Sequence, residues 1–208
     1  MLVACGRHRH PGAKLPMRLF IAVDPGEQFR AELSTRLDAW RARLPVAWVR
    51  AGNLHVTLRF LGELPEAALP ALEMALRGAG AGQAPFVLQP GGVGAFPDLR
   101  APRVFFLQMA SPGGALERFA AAVRAAVDPL LPPGAGDDQP LRAHLTLARV
   151  KRPLLPAQAR ELAAIDPGAW DPLTVGEVCL MRSVPGRSGP VYTRLLAAPL
   201  CGGGPVVG

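Results

Sequence analysis

Apolar positions along the chain alternate between a two-residue and a 3.6-residue period, dividing residues 17–200 into strands and helices. The run MRLFIAV (17–23) reads as a strand. Asp24-Pro25-Gly26-Glu27 then predicts a helix start, with Asp24 as N-cap, Pro25 at the first helical position and Glu27 at N3. Phe29, Leu33, Leu37, Trp40 and Leu44 follow at helical spacing and form one core-facing stripe. A second strand is expected over 54–61 (LHVTLRFL), and a helix near 65–77 entered through Leu64-Pro65.

The second half repeats this order. RVFFLQM (103–109) predicts a strand, and Ser111-Pro112 opens a helix carrying Leu116, Phe119, Val123, Val127 and Leu130. After the loop PPGAGDDQP comes a strand over 141–150 (LRAHLTLARV) and a helix near 156–165. Two further strands, 173–182 and 190–197, are joined by the turn VPGRSG. The glycine-rich run PGGVGAF (90–96) lacks the spacing and following helix of a nucleotide loop, and is expected to be a turn between strands. From Asp24 to His55 is 31 residues, and from Ser111 to His144 is 33. Matched order and spacing predict an α+β fold: a two-lobed, pseudo-two-fold duplication of strand–helix–strand units, with antiparallel strands around a central cleft.

Composition narrows the class. Half of the 208 residues are apolar and 19% are charged, enough to bury a core, and no apolar run approaches membrane-spanning length. Residues 1–16 have no period and only a four-residue apolar stretch, so they are expected to be a disordered leader without a secretory signal. Residues 17–200 are expected to form one domain, 201–208 a flexible tail, and the protein to be soluble and cytoplasmic. A monomer is expected, because internal duplication already supplies the symmetry of a dimer. The net charge of +7 favours polyanionic partners without identifying one. Cys5, Cys179 and Cys201 are odd in number and widely spaced, which indicates neither a disulfide framework nor a structural zinc.

Candidate chemistry concentrates in a repeated tetrapeptide, His55-Val56-Thr57-Leu58 and His144-Leu145-Thr146-Leu147. On a strand, residues two apart share a face, so each histidine points with its threonine while the aliphatic residues point toward covering helices. If the duplication brings the two strands together, two imidazoles and two hydroxyls converge. In-line cleavage of a phosphodiester needs a base for the attacking oxygen and an acid for the leaving one. A side chain with a reference pKa of about 6.5 can play either role. Threonine hydroxyls can donate to non-bridging phosphate oxygens. A zinc site would need further ligands, and neither tetrapeptide holds Asp, Glu or Cys. No GxSxG elbow is present. Arg59 is in phase with His55 and Thr57 and could reach a phosphate at the cleft mouth, or be a solvated strand-end residue. Tyr192, the single tyrosine, could border a base or pack in the core.

MRLFIAVDP at 17–25, NLHVTLRFLGE at 53–63, PLRAHLTLAR at 140–149 and the pattern Ser183, Gly189, Tyr192 together resemble the RNA 2′,3′-cyclic phosphodiesterases. These belong to the two-histidine (2H) phosphoesterase superfamily and were first described as bacterial 2′-5′ RNA ligases. The resemblance implies a two-lobed fold and metal-independent hydrolysis of cyclic phosphate at RNA ends, without a cofactor, to a 2′-phosphate and free 3′-hydroxyl. It implies catalysis by His55 and His144, and phosphate contacts from Thr57, Thr146 and Arg149; His55 is assigned as acid and His144 as base, a choice that the symmetry of the two motifs leaves open. Strict alternation, however, sets Arg149 out of phase with His144. Two residues depart from the family pattern: Ala143 stands where proline commonly precedes the second histidine, and Phe106 replaces a frequent tryptophan. Other readings are the same chemistry on 2′-5′-linked oligonucleotides or small cyclic nucleotides, and an RNA-binding module without turnover.

Overall fold

The computed structural model describes residues 16–137, 139–187 and 189–202. Most of the expected leader and tail lies outside the described residues.

Nine strands and four α-helices occur among them. Their chain order is β1 (Met17–Val23), α1 (Glu27–Arg41), β2 (Ala47–Trp48), β3 (Val56–Leu64), α2 (Leu69–Ala81), β4 (Phe86–Phe96) and β5 (Val104–Ala110). Next come α3 (Ala115–Val127), β6 (His144–Arg149), α4 (Pro156–Ala163), β7 (Leu173–Val175), β8 (Glu177–Val184) and β9 (Val191–Pro199). The strands hydrogen-bond in the order β7-β4-β5-β6-β3-β1-β8-β9, with β2 added beside β6. Every described pairing is antiparallel.

The order is symmetric about the junction of β6 and β3, as the duplication predicts. The halves nevertheless exchange strands. β4 follows α2 but pairs in the β5–β6 lobe, whereas β8 and β9 close the β3–β1 lobe from the C-terminal end of the chain. The strand expected over 173–182 is therefore interrupted at Gly176. Its first part pairs with β4 and its second with β1, at opposite sides of the sheet. The glycine-rich run at 90–96 is not a turn but half of β4. Val93 to Phe96 pair with β5, and a Cβ at Gly94 would lie 2.7 Å from the Phe106 ring. Glycine here makes room for an aromatic side chain.

Helices cover one face. Leu116, Phe119, Val123 and Val127 of α3 are buried, as their spacing predicts, together with Leu33 and Leu37 of α1 and Leu72 and Leu76 of α2. At about 1.5–3 kcal/mol for each large apolar side chain buried, this layer dominates the stabilisation. Leu130 instead sits in a 3-10 turn and is exposed.

Asp24 does not cap α1. The N-cap is Gly26, at φ 83°, and Asp24 Oδ1 accepts the Gly26 N–H at 2.8 Å and pairs with Arg30. The positive φ lets the chain turn from β1 into the helix two residues later than Pro25 alone suggests. Ser111 behaves closer to expectation, its Oγ accepting the Leu116 N–H at 2.8 Å across a short 3-10 turn.

Bulges in β3 and β6 alter the side-chain phase. Ile21 faces Arg59 and Ala22 faces Thr57, leaving Leu58 extra. Phe105 faces Ala148 and Phe106 faces Thr146, leaving Leu147 extra at the equivalent position of β6. An extra residue reverses the alternation beyond it. The fourth residue after each histidine, Arg59 or Ala148, turns inward and is buried, and the fifth, Phe60 or Arg149, is exposed.

Arg59 is thus 3% exposed and does not face a phosphate at the cleft mouth. Its guanidinium lies 2.9 Å from Asp128 Oδ1 and 3.2 Å from Asp137 Oδ1, joining β3 to the end of α3 and the loop beyond. Removing both acceptors would strand a buried cation. The Asp128→Asn, Asp137→Asn double variant is expected to lose about 3 kcal/mol in urea unfolding, more than either single variant. A double variant as stable as the parent would show that the cluster contributes nothing.

Candidate active site

Strands β3 and β6 meet through Val56 opposite Leu145. Continuing that antiparallel register by one residue sets His55 beside Thr146 and Thr57 beside His144. The aliphatic members of each tetrapeptide are buried, and the histidines and threonines are half-buried on the other face. The four residues of the two HxT units therefore come together.

Both imidazoles are held in the same way. His55 Nδ1–H donates to Asn53 O at 2.7 Å, and His144 Nδ1–H donates to Arg142 O at 2.6 Å. A carbonyl only accepts, so each Nδ1 carries a proton, and Nε2 is the atom left to gain or lose one. Each ring also packs against two aromatic rings. His55 lies 4.8 Å from Phe20 and 5.1 Å from Tyr192 between centroids. His144 lies 5.1 Å from Phe96 and 5.3 Å from Phe106. Carbonyl and rings fix the plane of each imidazole before any ligand arrives.

Burial pushes the proton affinity of His55 below the usual histidine range, and the charges of His144 and Arg149 lower it further. His144 is likewise lowered, first by burial and then by Arg149. Arg149 is therefore close enough to act on both rings. The β6 bulge carries it onto their face, which strict alternation could not anticipate. Tyr192 borders His55 rather than filling the deep core, and its ring also meets Phe20 at 5.0 Å. Of the residues singled out in the sequence, only Arg59 is directed away from the cleft.

Sequence reasoning missed Asn53, Phe20 and Phe96. Asn53 orients His55 through its carbonyl, while its side-chain amide donates to Pro190 O at 2.7 Å, tying down the chain two residues before Tyr192. The only available signal was its position two residues before the histidine, a backbone role that residue type does not encode. Phe20 belongs to a strand apolar on both faces, so its direction was hidden. Among the described residues no three of His, Cys, Asp and Glu cluster as metal ligands, and no helix is long and apolar enough to cross a membrane.

Residues 29–187 match the family model described as the 2′-5′ RNA ligase superfamily. An RNA 2′,3′-cyclic phosphodiesterase of Thermus thermophilus is 37% identical over 186 residues, covering 86% of this chain and 88% of the relative. One of Methanothermobacter thermautotrophicus is 33% identical over 184 residues, covering 86% of this chain and 96% of the relative. The crystal structure of TT0787 of Thermus thermophilus superposes with a TM-score of 0.75 at 35% identity, covering 89% of this chain and 99% of that one. Apo E. coli LigT gives a TM-score of 0.68 at 29% identity, covering 89% and 98%. With that match across both HxT units, and the lobed sheet they share, the chain belongs to the 2′-5′ RNA ligase superfamily and has the 2H phosphoesterase fold.

Proposed function

We propose that this protein hydrolyses 2′,3′-cyclic phosphate at RNA ends, giving a 2′-phosphomonoester and a free 3′-hydroxyl, with His55 and His144 as the acid–base pair and no metal. The observation that carries this reading is the twofold repetition of one environment: two imidazoles, each locked at Nδ1 by the carbonyl two residues earlier, on adjoining strands. The relatives' activity supports the substrate class.

In this mechanism His144 Nε2 takes a proton from water as its oxygen attacks phosphorus. The P–O3′ bond breaks opposite, and His55 Nε2 gives its proton to the departing 3′-oxygen. Greater exposure of His144 suits the residue that holds solvent-derived water, and deeper burial of His55 suits delivery to a leaving group. Thr57 and Thr146 hydroxyls donate to the non-bridging oxygens, and Arg149 balances their charge. The unliganded cleft opposes protonation of His55, so the ring takes up its proton together with the anionic substrate.

His55→Ala and His144→Ala are each expected to lose roughly 10²-fold or more in kcat on a cyclic-phosphate-ended oligonucleotide. Parent activity is expected to survive EDTA; loss on chelation would revive a metal mechanism, and tight binding without product would favour the non-catalytic reading. Replacing the bridging 3′-oxygen with sulfur removes the need for an acid. That substrate is expected to rescue His55→Ala but not His144→Ala, and the opposite pattern would exchange their roles.

Both histidine shifts are downward, so the macroscopic pKa values bounding the kcat/KM bell should fall below about 6.5. Activity is expected to peak below that pH and decline above it as the acid loses its proton. Arg149→Ala removes a repelling cation, so its bell should move toward higher pH while its height falls. An unmoved bell would disconnect Arg149 from the pair.

A further inference from the structure

Resting on the activity proposed above, we infer that Arg142 forms a second anion site, for the phosphate on the 5′ side of the terminal nucleoside. Arg142 enters the cleft region through its backbone, since its carbonyl holds His144 Nδ1–H at 2.6 Å. Its side chain is exposed and carries the guanidinium over the face of Phe96, 5.6 Å from the ring centroid. Phe96 in turn meets His144 edge-on at 5.1 Å. The cation is thus stacked one ring away from the imidazole, an attraction that limits where the long side chain goes.

Two facts separate this cation from the reacting centre. No carboxylate lies within ion-pairing distance of Arg142 among the described residues, whereas Arg30 and Arg194 are each paired with one and Arg59 with two. Arg149 also depresses the proton affinity of both histidines through its charge, whereas Arg142 acts on His144 through its carbonyl alone. With Phe96 standing between it and His144, the Arg142 charge lies beside the reacting phosphate rather than on it. In RNA the next anion is the 5′-phosphodiester of the same nucleoside, one ribose away. A planar guanidinium suits such a two-oxygen acceptor better than a point charge does. A nucleoside 2′,3′-cyclic phosphate alone lacks this group, so Arg142 distinguishes an RNA end from a small cyclic nucleotide.

The minimal test compares adenosine 2′,3′-cyclic phosphate with and without a 5′-phosphate. The parent is expected to prefer the 5′-phosphorylated compound by about tenfold in kcat/KM, the worth of one charge-assisted contact. Arg142→Ala should reduce that ratio to less than about threefold, with Arg142→Lys intermediate. Equal losses on both substrates, or a parent without preference, would overturn the inference. Calorimetric binding of adenosine 2′,5′-bisphosphate against adenosine 2′-monophosphate reads the same site without turnover. If the parent hydrolyses neither substrate, the proposed activity fails, yet an Arg142-dependent preference for the bisphosphate would still uphold the site; equal affinities would sink it.

Discussion

Two strands that meet through Val56 and Leu145 carry the HxT groups of the cleft. This narrow junction is the constraint on which the rest depends, because His55 and His144 lie 89 positions apart in the chain and share no helix or loop. Antiparallel pairing about one point gives each imidazole the other strand's threonine as neighbour. The buried aliphatic residues of each tetrapeptide hold that pairing from behind. The exchange of β4 against β8 and β9 keeps the two lobes from separating, since each lobe is completed by strands from the other half of the chain.

Duplication alone would give two equal halves, which acid–base chemistry cannot use. Differentiation begins at the fifth residue after each histidine, where matching bulges expose Phe60 in one half and Arg149 in the other. One side offers an apolar ring and the other a cation. Burial differs too, with His55 deeper than His144, so two copies of one motif sit in unequal surroundings. The conserved element of the design is the Nδ1–carbonyl bond, which leaves the same nitrogen free in both halves.

Much of this was legible in the sequence, for definable reasons. The helix stripes and the HxT pairs follow from periodicity, and α3 forms where Leu116, Phe119, Val123 and Val127 predict it. What escaped was whatever depends on register. Arg59 looked in phase with His55 because alternation counts residues, not bulges, and the extra Leu58 sent it into a buried pair with Asp128 and Asp137. The same slip, at Leu147, brought Arg149 into the cleft against the alternation rule. β4 was hidden because its run of glycines, of which Gly94 accommodates the Phe106 ring, looks locally like a turn. Asn53 was hidden because its role is exerted largely through a carbonyl, which all residues possess.

The central claim is that both rings serve a single phosphate. Heteronuclear NMR of the two imidazoles during titration with a nucleoside 2′-monophosphate tests it most directly. One equivalent of ligand should raise the proton affinity of His55 and His144 together, with both Nδ1 protons retained. Response of one ring alone, or saturation at two equivalents with the rings titrating independently, would contradict the account.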